Sequence, residues 1–150
     1  MGQSLVQNYM HIIWSTKYRK PLITREIEKS LHAYLAGTCN KLNSPAITVG
    51  GYNDHIHILC SVSKNIAISK FMEQIKKSSS KWIKTKGTQF SNFYWQDGYG
   101  AFSVSPSMVN RVTAYIENQH EHHKTHSFKE EFQIFLRNYK MDYDERYIWD

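Results

Sequence analysis

Residues 53–60, Asn-Asp-His-Ile-His-Ile-Leu-Cys, place two histidines two positions apart inside an apolar, β-branched run. Runs of this composition are typical of β-strands, and side chains along a strand alternate between its two faces. His55 and His57 are therefore predicted to point the same way. Two neutral imidazoles aimed at one point supply two ligands of a metal site. The stretch predicts a strand that carries part of a divalent-metal site.

Length and composition suit one basic, globular domain. The chain has 150 residues, and we expect residues 1–150 to form a single domain. Its net charge is +6, and 14% of its residues are aromatic. This composition suits a polyanion whose bases can stack on rings, although a solvated basic surface would give the same charge. No apolar run reaches membrane-spanning length, so we expect a cytoplasmic protein with no membrane partner. Cys39 and Cys60 are expected to be buried thiols.

Hydrophobic periodicity predicts strands and helices on both sides of the histidine strand. Predicted strands lie at 8–15, 46–50, 55–62 and 101–105, and predicted helices at 24–42, 66–85, 106–123 and from 127 onward. The order βαββαβ with added C-terminal helices is that of a ferredoxin-like α+β fold, an antiparallel sheet with two helices on one face. The other face is expected to be free to bind a ligand.

The third predicted helix carries a second candidate group. Tyr115 and Gln119 are four residues apart, so they share a helix face. A glutamine oxygen can bind Mg²⁺ or Mn²⁺, and a tyrosine can act as a nucleophile once its proton is removed. A core ring beside a solvated amide would show the same spacing. Four histidines follow on this helix: His120, His122, His123 and His126. They could bind a metal, but we favour the alternative that they meet the dipole at the helix C-terminus.

Seven basic residues are predicted to contact phosphates. They follow the first strand or lie on the second helix: Lys17, Arg19, Lys20, Lys76, Lys77, Lys81 and Lys84. Such side chains bind phosphates without selecting a base sequence. A solvated helix face would have the same composition, so the pattern indicates DNA binding only together with the other features.

Four segments, in this order, resemble the single-tyrosine HUH transposases, in which HUH denotes histidine, hydrophobe, histidine. Residues 14–21 (Trp-Ser-Thr-Lys-Tyr-Arg-Lys-Pro) resemble the family's first strand and its exit, and residues 54–57 its HUH strand. Residues 93–102 resemble its aromatic segment before the last strand, and residues 115–119 (Tyr-Ile-Glu-Asn-Gln) its catalytic helix. The resemblance covers nearly the whole chain.

The resemblance implies a transposase that cuts and rejoins single-stranded DNA, often next to a folded hairpin, as a homodimer. It implies that His55, His57 and Gln119 bind one Mg²⁺ or Mn²⁺. It also implies that Tyr115 attacks a DNA phosphate, which gives a 5′-phosphotyrosine link and a free 3′-OH. Members in which this helix is exchanged between subunits tend to have a glycine hinge before it. Residues 103–107 contain no glycine, which speaks against that exchange here.

Two other functions fit part of the pattern. A non-catalytic module could bind single-stranded nucleic acid on a ferredoxin-like sheet, with His55 and His57 touching bases and Tyr115 in the core. A metal-dependent nuclease without a covalent step would need a water nucleophile and more carboxylate ligands than the histidine strand offers. A covalent DNA adduct would distinguish the transposase from the binding module.

Overall fold

A computed structural model describes residues 2–150 and confirms the predicted order of elements. Its strands are β1 (Tyr9–Ser15), β2 (Ala46–Gly51), β3 (His55–Ser61) and β4 (Gly100–Ser103). Its helices are α1 (Arg25–Lys41), α2 (Ile68–Lys84), α3 (Val109–Glu117), α4 (Gln119–His122) and α5 (Phe128–Asn138). Short 3₁₀ turns lie at Lys17–Arg19, Thr88–Phe90 and Pro106–Met108. Over residues 2–150, no helix combines the length and the apolar character needed to cross a membrane.

The sheet is antiparallel and has the order β2-β3-β1-β4, which confirms the predicted ferredoxin-like α+β fold. The central pair β1 and β3 sets the register, with Ile13 opposite His57 and Ser15 opposite His55. Opposite residues of an antiparallel pair point to the same face. His55 and His57 therefore share one face with Ile13, as the strand periodicity predicted.

Helices α1 and α2 cover the other face and enclose the main hydrophobic core. Apolar side chains of β1, β3 and both helices meet there: Ile12, Trp14, Ile56, Ile58, Leu31, Leu35, Phe71 and Ile75. Full burial of each such side chain contributes about 1.5–3 kcal/mol relative to an exposed position. Cys39 and Cys60 are buried free thiols in this core, as predicted.

The histidine face is not open, so the prediction that this face is free to bind a ligand is wrong. Helix α3 crosses β2 so closely that a Cβ on Gly50 would lie 2.6 Å from the carbonyl oxygen of Ile116. Helix α5 lies against β4, where a Cβ on Gly100 would overlap the ring of Phe132. The apolar stripe of α5 has to be buried, and the sheet offers Ile13 and Phe102 as its counterpart.

The third predicted helix is broken, although a single helix was expected up to residue 123. Helix α3 ends at Glu117 and α4 starts at Gln119, with Asn118 between them at φ −96° and ψ 17°. The Asn118 N–H still donates to the carbonyl of Ala114. The Gln119 side chain, at the start of α4, is buried over the histidine strand.

Candidate metal and tyrosine site

Strand β3 brings both histidines of the pair into a fully buried site. The side chains of His55 and His57 are 0% exposed, because α3, α4 and α5 close over them. Their ring centroids are 5.1 Å apart. The strand alternation that puts them on one face is thus completed by helices from the C-terminal third of the chain.

His55 lies between a carboxylate and an amide. Its Nδ1 is 2.7 Å from Asp54 Oδ1, so this nitrogen donates its hydrogen to the carboxylate. The Nε2 of a neutral ring then carries a lone pair, and it lies 3.0 Å from Gln119 Oε1, which is also an acceptor. The Gln119 side-chain N–H donates to the carbonyl of Tyr115, which keeps Oε1 turned toward the ring. Two facing acceptors are stabilised by a cation, so these residues fit the predicted metal.

His57 lies between His11 and Glu131. Its Nδ1 is 2.8 Å from Nε2 of His11, and its Nε2 is 3.0 Å from Glu131 Oε1. Burial lowers the pKa of His57. The negative charge of Glu131 raises this pKa, but by less than burial lowers it. Burial together with the neighbouring His57 also lowers the pKa of His11. Both rings are therefore kept neutral, which is the form in which histidine binds metals.

Tyr115 lies beside these histidines in the same chain. Its ring centroid is 5.9 Å from that of His57, and its hydroxyl donates a hydrogen bond to Glu131 Oε2. Burial and the adjacent Glu131 charge raise the pKa of Tyr115, so the phenol holds its proton at neutral pH. The ring lines a cavity of about 210 Å³ together with His122, Ile134 and Phe135. A ligand in this cavity could reach Tyr115. It could not reach His55 and His57, which are buried.

Glu131, like His11, is a site residue that the sequence analysis missed. Only 2% of it is exposed, and its carboxylate is held by His57, Tyr115 and His123. Burial raises the pKa of Glu131, but the surrounding histidines lower it by more, so the carboxylate stays ionised. One signal was available, because Glu131 interrupts the apolar stripe of α5 between Phe128 and Phe132. A charged residue at an inward position of a helix indicates a buried partner.

The four clustered histidines separate into different environments. His123 joins the site, because its Nε2 is 2.8 Å from Gln119 Oε1. His122 lies 3.3 Å from Glu131 Oε2. His120 instead pairs with Glu28 at 2.7 Å, and His126 is exposed. The interpretation of the cluster as a helix C-terminus alone therefore does not describe His123, which faces the predicted metal ligands.

Comparisons with known proteins assign the chain to a family. A family model described as IS200-like transposase matches residues 4–119. The chain belongs to the IS200-like transposase family. This result confirms the resemblance to the single-tyrosine transposases.

Several relatives of this family member are known. The ISDra2 transposase TnpA of Deinococcus radiodurans is 27% identical over 116 residues, which cover 74% of this chain and 83% of the relative. The transposase of insertion sequence element IS200 from Salmonella typhimurium is 25% identical over 119 residues, covering 76% and 78%. These alignments span most of both proteins, so the chain is similar to whole transposases.

Two solved structures share the fold of this family member. A protein from Deinococcus radiodurans described as a transposase superimposes with a TM-score of 0.61 at 23% identity, covering 79% of this chain and 96% of that one. A REP-associated tyrosine transposase bound to a REP hairpin superimposes with a TM-score of 0.60 at 11% identity, covering 82% and 73%. At these identities the superpositions establish the common fold.

The two predicted basic patches of this IS200-like chain meet at Tyr94. The Lys84 ammonium lies 4.3 Å from the centre of the Tyr94 ring, and the backbone N–H of Lys17 donates to the Tyr94 carbonyl at 2.7 Å. Tyr94 is 55% exposed, so a base could stack on it. Three further lysines of these patches are exposed: Lys20 close to Lys17 in the sequence, and Lys77 and Lys81 on the same helix as Lys84. Arg19 is partly used within the chain, because it donates to the carbonyl of Trp149.

Lys76 has a structural environment rather than a free ammonium group. Its Nζ donates to the carbonyl oxygens of Gln96, Asp97 and Gly98, each at 2.8 Å. Burial lowers the pKa of Lys76 to about 8, despite the opposing charge of Asp97. An ammonium group has three hydrogens, and all three are occupied here. The predicted phosphate contact of Lys76 would therefore require breaking bonds that hold the loop 96–98.

We expect Lys76→Met to affect mainly stability and Lys77→Met to affect mainly DNA binding. Lys76→Met should lower the free energy of unfolding by about 1.5–3 kcal/mol, because hydrogen bonds from a charged donor are lost. Lys77→Met, on the exposed neighbouring position, should change stability by less than about 0.5 kcal/mol. It should weaken binding of a DNA hairpin and reduce the salt dependence of that binding by about one ion. Urea unfolding and hairpin titrations at several salt concentrations measure both effects. Equal stability of the two variants would contradict this assignment.

Proposed function

We propose that this transposase cuts and rejoins single-stranded DNA through a covalent 5′-phosphotyrosine intermediate, with Tyr115 as the nucleophile. One observation carries the proposal. Tyr115, Gln119 and the pair His55 and His57 come from distant segments, yet they meet in one buried site beside a cavity. A core tyrosine and a solvated glutamine, the alternative that the spacing left open, would not converge on two buried imidazoles.

We propose that His55, His57 and Gln119 hold one divalent cation, Mg²⁺ or Mn²⁺. When bound, such an ion polarises a phosphate and stabilises the 3′ oxygen as it leaves. The chain supplies the rest of the chemistry by positioning. Asp54 and His11 fix the ring orientations of the histidine pair through their own hydrogen bonds. Residues held this way present their ligand atoms without reorganisation.

In the proposed reaction the Tyr115 oxygen attacks phosphorus in line. A bond from this oxygen to phosphorus forms while the bond to the 3′ oxygen breaks, and the departing 3′ oxygen takes up a proton from water to give the 3′-OH. The phenolic proton already points to Glu131 Oε2, so this atom is the nearest acceptor as the oxygen attacks. The phosphodiester energy is kept in the link, so rejoining needs no nucleotide triphosphate. Residues 1–150 would act as one transposase domain.

The proposed substrate is single-stranded DNA with a hairpin, bound by a homodimer. The basic residues that meet at Tyr94 support a nucleic-acid partner. A structural relative, the REP-associated tyrosine transposase, is bound to a REP hairpin. Tyr115 lies next to the histidines of its own chain, which supports an active site assembled within one subunit of that dimer.

The alternative of a non-catalytic binding module is less well supported. That function would use His55 and His57 to contact bases, but both side chains are completely buried. Bases could stack on Tyr94 in a transposase and in a binding module alike. The two functions therefore differ only in the covalent step.

A covalent-adduct assay tests the proposed function. Purified protein is incubated with a labelled single strand that carries a hairpin, with Mn²⁺ or in EDTA. We expect a DNA–protein adduct that withstands denaturant in Mn²⁺ and none in EDTA. A binding module would shift the DNA in a native gel under both conditions and give no adduct under either.

A further inference from the structure

Three imidazoles, not two, present the same nitrogen to one point. One ligand atom each from His55, His57, His123 and Glu131 lies within 4.8 Å of the other three. The distance from Glu131 Oε1 to Nε2 is 3.5 Å for His55, 3.0 Å for His57 and 3.4 Å for His123. One ion could therefore be reached by four side chains of the chain.

The second nitrogen of each ring is already engaged. His55 Nδ1 donates to Asp54, and His123 Nδ1 donates to the carbonyl of His126 at 2.6 Å. His57 Nδ1 lies 2.8 Å from His11. Histidines that bind metals characteristically hold their other nitrogen in such a bond to a carboxylate, carbonyl or similar group. All three rings therefore have the outer partners expected of metal ligands.

The inward-facing nitrogens converge on the same oxygen atoms. Nε2 of His55 and Nε2 of His123 lie 3.0 and 2.8 Å from Gln119 Oε1. Glu131 adds a negative charge at the same place. Acceptors that converge in a buried site are unfavourable unless a cation lies among them. In both His123 and His55, Nδ1 bonds to an outer oxygen and Nε2 faces Gln119 Oε1. This shared arrangement supports a metal-binding role for both.

His123 and Glu131 also lie beyond the part of the chain that the family model matches. That match ends at residue 119. The additional donors come from the end of α4 and from α5, the helices that close the histidine face. The C-terminal segment therefore both supplies His123 and Glu131 and closes the site.

We propose that His123 and Glu131 complete the metal site with His55 and His57, and that this nitrogen-rich site selects Mn²⁺, Co²⁺ or Zn²⁺ over Mg²⁺. The inference rests on the proposed function for the position of the ion. Three imidazoles and one carboxylate suit transition metals, whereas Mg²⁺ prefers oxygen ligands and retains several waters. Gln119 Oε1 is left as a further, weaker oxygen donor beside His55 and His123.

Metal binding to the full chain without DNA tests this inference. Protein treated with EDTA and dialysed is titrated with MnCl₂, CoCl₂, ZnCl₂ or MgCl₂, followed by calorimetry and thermal melting, and the Co²⁺ complex by its visible absorption. We expect one high-affinity site for Mn²⁺, Co²⁺ and Zn²⁺, with Mg²⁺ at least tenfold weaker. The Co²⁺ spectrum should show the intense bands of a site with few waters.

Matched variants identify the ligands. His123→Ala and Glu131→Gln should each weaken Mn²⁺ binding by more than the roughly 10- to 100-fold that follows loss of an outer partner. His126→Ala keeps the carbonyl that His123 uses, and Glu130→Gln changes the exposed neighbour of Glu131, so both should bind Mn²⁺ as the wild type does. Circular dichroism of the metal-free variants verifies that each is folded.

Three outcomes would overturn the inference. Wild-type Mn²⁺ affinity in folded His123→Ala and Glu131→Gln would restrict the ligands to the histidine pair and Gln119. Equal affinity for Mg²⁺ and Mn²⁺ would refute the proposed selectivity. Loss of binding in the control variants as well would show a general effect of the C-terminal segment. None of these results would remove the covalent adduct, so the proposed function is tested separately.

Discussion

Tyr115→Phe should bind the DNA hairpin as the wild type does and form no covalent adduct. Phenylalanine keeps the ring, its packing on His57 and the helix, and it removes only the hydroxyl. Without the nucleophile the chemical step is lost, so we expect adduct formation to fall by roughly a thousandfold or more. Stability should change by about 0–1.5 kcal/mol, because one hydrogen bond to Glu131 disappears.

The measurement is adduct yield on a denaturing gel beside hairpin affinity in a native titration. Tyr52→Phe is the matched control, because the Tyr52 ring also stacks on the histidine cluster, with its centroid 5.5 Å from that of His123. We expect this variant to form the adduct at the wild-type rate. If Tyr115→Phe still gave an adduct, another residue would be the nucleophile, and the proposed role of α3 would be wrong.

The sequence predicted the sheet and the direction of the histidine pair because both follow from local periodicity. A strand alternates its faces every residue, so His55 and His57 had to point the same way once residues 53–60 formed a strand. The two long amphipathic helices are also local signals. These rules gave the predicted ferredoxin-like order without knowledge of any long-range contact.

The contacts that complete the site are non-local and were missed for that reason. His57 bonds to His11, 46 residues earlier, and to Glu131, 74 residues later. No spacing rule relates these positions. The broken helix at Asn118 was also missed, because the continuous pattern of residues 106–123 favoured one helix. Gln119, at the start of α4, lies against His55, a contact set by tertiary packing that helix propensity does not predict.

The closure of the histidine face has a consequence for how the chain handles DNA. Sequence reasoning placed the histidines on an open surface, whereas α5 buries them and adds Glu131 between His57 and Tyr115. In the proposed reaction a phosphate approaches Tyr115 from the neighbouring cavity, which Glu131 also lines. A burial penalty for the negatively charged phosphate then has to be offset by cations and hydrogen bonds within the site.

His57→Ala should abolish adduct formation in Mn²⁺ and should also destabilise the protein. An exposed histidine could be removed without harm to the fold, but His57 is 0% exposed and bonds to two buried groups. Its removal leaves His11 Nε2 and Glu131 Oε1 without that partner, which costs about 1–3 kcal/mol for unsatisfied buried groups. The expected loss of activity therefore has two possible causes, lost chemistry and lost stability, that the experiment has to separate.

Ile58→Ala separates these causes because Ile58 is the next residue of β3 and points into the opposite core. Its truncation should destabilise the fold by about 2–5 kcal/mol while leaving the histidine face intact. Both variants are assayed at a temperature where circular dichroism shows them folded. We expect Ile58→Ala to form the adduct and His57→Ala to form none at any Mn²⁺ concentration. Activity in folded His57→Ala would exclude His57 as a ligand. Inactivity of both variants would assign the loss to the sheet itself, since the β1–β3 pairing holds His11 beside His57.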